Sequence, residues 1–186
     1  MNMSSIAALH LRIKGPYFTS VSFKRIPITE SSLALTVSST KRVQEYDFFL
    51  NLNVKGLFNM PTESLKPVFL APHASFVHIG NMFSLQGYKN GAVFAASKHA
   101  VLGMVRSAAK ETGDRVRVNC VLPGVIDTPM YRAILAKVKD FTPAPTTLIP
   151  RPGSAQEVAD VTVFLLSDES SFVTGAAWSV DGGANA

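Results

Sequence analysis

From about residue 41 onward, helical and strand patterns alternate along the chain, and this alternation constrains the fold more than any other feature. Residues 75–79 and 116–122 are short apolar runs typical of strands, and the segment between them, over 92–112, carries a helical apolar stripe. Strands separated by helices predict a parallel sheet joined by right-handed crossovers. The fold class predicted is therefore α/β.

The same alternation of helices and strands extends in both directions along the chain. Residues 43–58 carry apolar residues at helical spacing. The sequence Ser-Ala-Gln-Glu at 154–157 is a capping box that begins another helix, and a last strand is predicted over 176–180. Residues 32–38 alternate with period two, which predicts a half-exposed strand, whereas residues 1–31 give no prediction.

Composition excludes several classes of protein. The chain has 186 residues, enough for one domain with a substantial core, and 47% of them are hydrophobic against 17% charged, as in globular proteins. No apolar run approaches the length of a transmembrane helix, so we expect no membrane association. Cys120 is the single cysteine, which excludes an internal disulfide and favours a reducing, cytoplasmic location.

The net charge of +5 comes from the N-terminal quarter, where residues 1–42 hold six basic side chains and one acid. These charges are scattered rather than clustered, so the pattern predicts no nucleic-acid partner. The segment is also rich in serine, which leaves an organellar transit peptide open, although a different origin from the rest of the chain is favoured. The four histidines lack metal-ligand spacing, so no metal site is predicted.

Phe94 and Lys98 are four residues apart in the predicted helix over 92–112, so they share one helix face. A tyrosine in place of Phe94 would form a Tyr-x-x-x-Lys pair, in which the phenol transfers a proton and the cation stabilises the phenolate. Phenylalanine has the ring without the hydroxyl. The arrangement is that of an enzyme, but the proton donor is absent.

Six short motifs occur in one order over about residues 41–186, and this order resembles the short-chain dehydrogenase/reductase family. They are Asn-Val-Lys-Gly (53–56), Phe-Ala-Ala-Ser-Lys (94–98), Asn-Cys-Val-Leu-Pro-Gly (119–124), Ile-Asp-Thr-Pro-Met (126–130), Asp-Glu-Ser-Ser-Phe-Val-Thr-Gly (168–175) and Val-Asp-Gly-Gly (180–183). The resemblance implies a Rossmann-like, doubly wound parallel sheet and hydride transfer between NAD or NADP and a small alcohol or ketone.

The resemblance also assigns roles to individual residues. The catalytic positions of the family fall on Asn53, Asn81, Phe94 and Lys98. Two of these positions are substituted, since the family has serine where this chain has Asn81 and tyrosine where it has Phe94. On the nicotinamide side, the resemblance implies five cofactor-binding residues: Lys98, Pro123, Gly124, Ile126 and Thr128.

The family holds the pyrophosphate with a glycine-rich turn, but this chain has one glycine, Gly15, before Gly56. We therefore predict a partial Rossmann-type domain over 41–186, with its first half truncated or replaced by an unmatched segment over 1–40. Tyr88 and Ser84 are possible substitute proton donors, and neither is favoured. Asn53 could instead satisfy polar groups at a helix irregularity, and Phe94 could be a core or pocket-wall aromatic.

General acid catalysis typically contributes about 10²–10⁴ in rate, so the loss of both hydroxyls predicts a catalytically dead or severely impaired chain. Two alternatives remain open. The chain could be an interaction subunit that pairs with itself or with a full-length relative through the helices of Asn53 and Phe94. It could also be a truncated product without a selected function.

Overall fold

The computed structural model describes residues 6–8, 22–24, 46–59, 73–88, 91–137 and 147–186, with backbone alone for the first two ranges. Those two ranges form strands β1 (Ile6–Ala8) and β2 (Ser22–Lys24), which pair antiparallel. The strand predicted over 32–38 lies outside the described residues.

A parallel sheet of three strands organises the rest of the described chain. Its strands are β3 (Ala74–Ile79), β4 (Val116–Pro123) and β5 (Ala177–Val180), in the order β3-β4-β5. Both pairings are parallel, with Phe76 opposite Val118 in the first. The predicted α/β class, its parallel sheet and its last three strands are confirmed.

The ranges that the structure describes contain four helices, whose ends follow the local sequence. The predicted capping box is present, because Ser154 Oγ accepts from Glu157 N at 3.2 Å and the Glu157 carboxylate accepts from Ser154 N at 2.6 Å. The predicted helix over 92–112 ends at Gly113, whose φ of 57° suits glycine. The four are α1 over 46–59, with a π-helical segment at Leu50–Lys55, α2 (Ala92–Thr112), α3 (Pro129–Lys137) and α4 (Ala155–Leu166).

Strand β4 lies at the centre of the sheet and is covered on both faces. Its alternate residues from Val116 to Leu122 pack against Leu102 and Val105 of α2. On the opposite face, Val121 packs with Leu165 of α4. A strand buried on both faces reads as a nearly continuous apolar run, and this explains why the sequence pattern located it.

The two crossover connections have opposite hands. Helix α2 connects β3 to β4 on one face of the sheet, and α4 connects β4 to β5 on the other face. Because both connections step in the same direction across the sheet, opposite faces require opposite hands. The expectation that all crossovers are right-handed is therefore wrong for one of them, since packing of α4 on the free face of β4 overrides the usual preference.

Two polar residues of β4 attach the C-terminal segment to the sheet. The Arg117 guanidinium donates to Leu165 O at 3.0 Å and to Ser170 Oγ at 2.7 Å. The Asn119 amide donates to Val173 O at 2.8 Å, and its oxygen accepts from Ala176 N at 3.0 Å. These bonds satisfy buried polar groups and position the approach to β5.

The carboxyl ends of the three parallel strands meet at one edge of the sheet. Asn81 follows β3, Gly124 follows β4 and Asp181 follows β5. Open α/β sheets bind ligands at this edge, so it is where a functional site is expected. No helix in the described ranges has an apolar stretch long enough to cross a membrane.

Candidate functional site

The predicted contact between Phe94 and Lys98 forms near the start of α2. Phe94 is half-buried, and Lys98 is buried with 5% of its surface exposed. The Lys98 ammonium nitrogen lies 5.6 Å from the centroid of the Phe94 ring. This is a cation–π contact, in which the ring face attracts the charge but offers no oxygen to accept a hydrogen bond.

Within the described residues, the Lys98 ammonium has no hydrogen bond and no ion pair. Burial lowers the pKa of Lys98 to about 8, because removal from water penalises the charged form, while the nearby Cys120 acts in the opposite direction. Burial also raises the pKa of the Cys120 thiol to about 12. At neutral pH the thiol therefore stays protonated and does not neutralise the lysine charge.

Four aromatic side chains form a cluster with Phe94 at its centre: Phe49, Phe83, Tyr88 and Phe94. The Phe94 ring meets the other three edge to face, at centroid distances of 5.6 Å, 6.2 Å and 6.4 Å respectively. Phe83 and Tyr88 stack on each other at 4.1 Å. The arrangement agrees with the interpretation of Phe94 as a pocket-wall aromatic, since it packs on three rings and remains partly exposed.

Tyr88 and Lys98 both contact the Phe94 ring, Tyr88 edge to face and Lys98 through its ammonium. The Tyr88 ring packs directly over Gly91, where an added Cβ would lie 1.9 Å from the phenol carbon Cζ. The phenol is therefore held against the N-terminus of α2.

Asn53 is buried in the π-helical segment of α1 and reaches α2 through a side-chain hydrogen bond. Its amide nitrogen donates to Ser97 Oγ at 2.9 Å, and Ser97 Oγ donates to Phe94 O at 2.7 Å. The π-helical segment is thus a helix irregularity next to the site, as one of the two predicted roles of Asn53 requires. Sequence reasoning missed Ser97, whose only signal was its place inside the Phe-Ala-Ala-Ser-Lys motif.

Asn81 caps a short turn at the end of β3. Its side-chain oxygen accepts from Phe83 N at 3.0 Å at the start of the 3-10 turn Met82–Ser84. The bond uses the acceptor of Asn81 to orient Phe83 toward the aromatic cluster. Ser84, the other possible substitute donor, is buried, and its hydroxyl has no hydrogen-bond partner within the described ranges.

The segment predicted to contact nicotinamide begins where β4 ends. Pro123 is the last residue of β4, and Gly124 N donates to Val180 O at 3.0 Å. A Cβ at Gly124 would lie 2.7 Å from Asp181 Cα, so the close approach of the two strand ends requires glycine.

Ile126 and Thr128 continue this segment into α3. Ile126 forms a parallel bridge with Gly153, in which the flanking residues make the bonds: Asp127 N donates to Gly153 O, and Gly153 N donates to Val125 O. The Ile126 amide itself bonds to no described residue. Thr128 Oγ1 accepts from Tyr131 N at 3.2 Å and so caps α3, as predicted for a turn that begins a helix.

The site therefore has two parts at the same sheet edge. In one, Ser97 joins Asn53 to Phe94, the Phe94 ring contacts Lys98, and Asn81 is attached through Phe83. The other is the segment 123–128. The ranges that the structure describes contain no group of three His, Cys, Asp or Glu side chains that could hold a metal ion.

Comparison with known proteins identifies similar chains. Residues 23–185 match the sequence profile of the family described as enoyl-(acyl carrier protein) reductase. The chain is 34% identical over 162 residues to the short-chain dehydrogenase/reductase aba4 of Botryotinia fuckeliana, covering 84% of this chain and 62% of that protein. It is 38% identical over 142 residues to the 3-oxoacyl-(acyl-carrier-protein) reductase FabG of Thermotoga maritima, covering 75% and 57% respectively.

A solved structure agrees with these sequence matches. ElxO with NADP bound superposes with a TM-score of 0.72 at 25% identity, covering 82% of this chain and 62% of that one. The chain thus spans about three fifths of the length of these relatives. The profile match begins at residue 23, inside the segment 1–40, and the boundary at residue 40 stays a prediction.

The depressed pKa of Lys98 predicts how stability depends on pH. Between about pH 8 and the unfolded value of 10.5, the unfolded chain binds more protons at Lys98 than the folded chain does. The free energy of unfolding therefore gains a term that rises with pH through this window, up to about 3 kcal/mol. The raised pKa of Cys120 acts oppositely, and its term falls with pH between 9.0 and about 12.

Lys98→Met isolates the lysine term, because it removes the buried charge and keeps the volume. We expect this variant to be more stable than the wild type at pH 7, with the difference narrowing between pH 8 and 10.5. Urea unfolding at each pH measures the difference, and Lys110→Met, at an exposed position of the same helix, is the control. Parallel pH profiles for the wild type and Lys98→Met would contradict the assignment.

Proposed function

We propose that this chain, which belongs to the short-chain dehydrogenase/reductase family, keeps the nicotinamide side of the family's site but is severely impaired in hydride transfer. One observation carries the proposal. The side chain that contacts the Lys98 ammonium is the Phe94 ring, which has no hydroxyl. A proton donor is therefore missing from the position where the family's reaction uses one.

The neighbouring groups do not replace this donor. Asn81 stands where the family has serine, and its oxygen already accepts from Phe83 N. An amide donates hydrogen bonds but does not relay a proton as a hydroxyl does. Because general acid catalysis typically contributes about 10²–10⁴ in rate, the loss of both hydroxyls leaves little turnover.

The described residues fit the nicotinamide half of NAD or NADP. The Lys98 ammonium and the Ile126 amide are both without hydrogen bonds to the described residues, so ribose hydroxyls and a carboxamide would supply their missing partners. When bound, the cofactor supplies or accepts the hydride. The NADP-bound relative ElxO supports the choice of a dinucleotide.

Without a phenol beside it, Lys98 keeps a binding role and loses its role in proton transfer. An ammonium next to tyrosine favours the phenolate and so prepares the proton transfer. Next to Phe94 the same charge acts on no titratable oxygen. The remaining function of Lys98 is to orient hydroxyl groups of a ligand, which predicts binding without efficient chemistry.

An assay of turnover with reduced cofactor tests this proposal. Purified chain is incubated with NADH or NADPH and a panel of ketones, and the absorbance of the reduced cofactor is followed. We expect no saturable turnover for the wild type, and none for Phe94→Tyr alone, because Asn81 would still lack the hydroxyl of the family's serine. Saturable wild-type turnover that disappears in Lys98→Ala would overturn the proposal.

A second candidate function is pairing with another chain through α1. Three aromatic side chains of this helix are exposed: Tyr46 at 50%, Phe48 at 40% and Phe58 at 60%. Exposed aromatic residues on one short helix are typical of protein interfaces. The partner would be a second copy of this chain or a longer relative.

Size-exclusion chromatography with light scattering tests the pairing. We expect a dimer mass for the wild type and a shift toward the monomer for Phe58→Glu, because a charge would be buried in the interface. Phe172→Glu is the matched control, since Phe172 is also exposed but belongs to the C-terminal segment and not to α1. A monomer at every concentration, alone and mixed with a longer relative, would exclude this function.

A further inference from the structure

We propose that Lys98 and the aromatic cluster bind a small aromatic carboxylate, whose charged oxygen takes the place of the oxygen that Phe94 lacks. The proposal rests on the proposed function in one respect: both depend on a lysine that has no phenol beside it. It goes further in assigning the site a ligand class that is not a substrate for hydride transfer.

The charge of Lys98 favours an anionic ligand. Its side chain is 5% exposed, and its ammonium has no hydrogen bond or ion pair within the described ranges. A largely buried ammonium has lost part of its hydration, which destabilises the charged form. A bound anion would supply the missing partner through a charge-assisted hydrogen bond.

No anionic group of the described chain already fills this place. Cys120 is the titratable side chain that acts on Lys98, and its completely buried thiol stays neutral. Ser84, another buried residue of this region, has a hydroxyl without a described partner. Its Oγ and the Cys120 sulfur both lie close to Gly80, at 3.4 Å and 2.8 Å from the position of an added Cβ.

The aromatic cluster favours a ligand with a planar ring. Phe83 and Tyr88 are stacked at 4.1 Å, and both meet the Phe94 ring edge to face. Tyr88 is 37% exposed and Leu85 beside it is 45% exposed, so the cluster reaches the surface. Another planar ring can add to such a cluster in a stacked or edge-to-face geometry.

The Lys98 ammonium and the aromatic cluster together specify the class of ligand. An aliphatic carboxylate would satisfy the ammonium but gain little from the rings. An uncharged aromatic compound would pack on the rings but leave the ammonium without a partner. An aromatic carboxylate does both, with its ring on the aromatic cluster and its carboxylate toward Lys98.

Titration of 2-naphthoate into the full chain, without NAD or NADP, tests this inference by isothermal calorimetry. We expect saturable binding by the wild type, and binding at least about tenfold weaker for 2-naphthamide, which has the same rings without the charge. Lys98→Met should weaken 2-naphthoate binding at least about tenfold and leave 2-naphthamide unchanged. Lys110→Met, exposed on the same helix, should bind both ligands as the wild type does.

Phe94→Tyr provides an independent test, because its phenol oxygen would compete with the carboxylate for Lys98. We expect weaker 2-naphthoate binding in this variant. Equal binding of 2-naphthoate and 2-naphthamide, or equal binding by the wild type and Lys98→Met, would overturn the inference. So would the absence of saturable binding up to millimolar ligand.

The design separates this inference from the proposed function. Binding is measured without cofactor and turnover without naphthoate, so either result can fail while the other holds. Urea unfolding of each variant verifies that it is folded before titration. Loss of a buried unpaired charge should make Lys98→Met more stable than the wild type, so weak binding by that variant would not reflect unfolding.

Discussion

The contact between the Lys98 ammonium and the Phe94 ring is the interaction on which the character of this site depends. It places a buried cation against a surface that attracts charge but accepts no hydrogen bond from it. A phenol at the same position would have supplied both an acceptor and a transferable proton. The replacement of one hydroxyl group by hydrogen therefore changes the electrostatics of the site and its chemistry together.

The rest of the fold holds this contact in place. Strand β4 is covered on both faces. Its Cys120 and Leu122 are buried in one cluster with residues of α2, the helix that carries Phe94 and Lys98. Ser97 connects α2 to Asn53 in α1. Gly124 allows the ends of β4 and β5 to approach closely. These contacts hold Phe94 and Lys98 next to the three parallel strands that the structure describes.

Local sequence patterns predicted much of this architecture. The helix over 92–112, the buried strand β4 and the capping box at Ser154 depend on spacing of a few residues, and all three are present. The contact of Phe94 with Lys98 follows from the same helical spacing. These features were predictable because neighbours in sequence determine them.

Features that depend on tertiary packing were not predicted. The Asn53–Ser97 hydrogen bond joins residues 44 positions apart, and it depends on a π-helical segment that periodicity does not signal. The approach of Cys120 to Lys98 and the opposite hands of the crossovers arise from how helices cover the sheet. Local patterns carry no information about such contacts.

Direct measurement of the Lys98 pKa tests whether this ammonium is buried without an anionic partner. Side-chain NMR of selectively labelled lysine, assigned by comparison with Lys98→Arg, follows the titration of this ammonium in the folded chain. A buried cation without an anionic partner predicts a pKa near 8. A value at or above the ordinary 10.5 would show that an anion or water already satisfies the charge, and it would contradict the account.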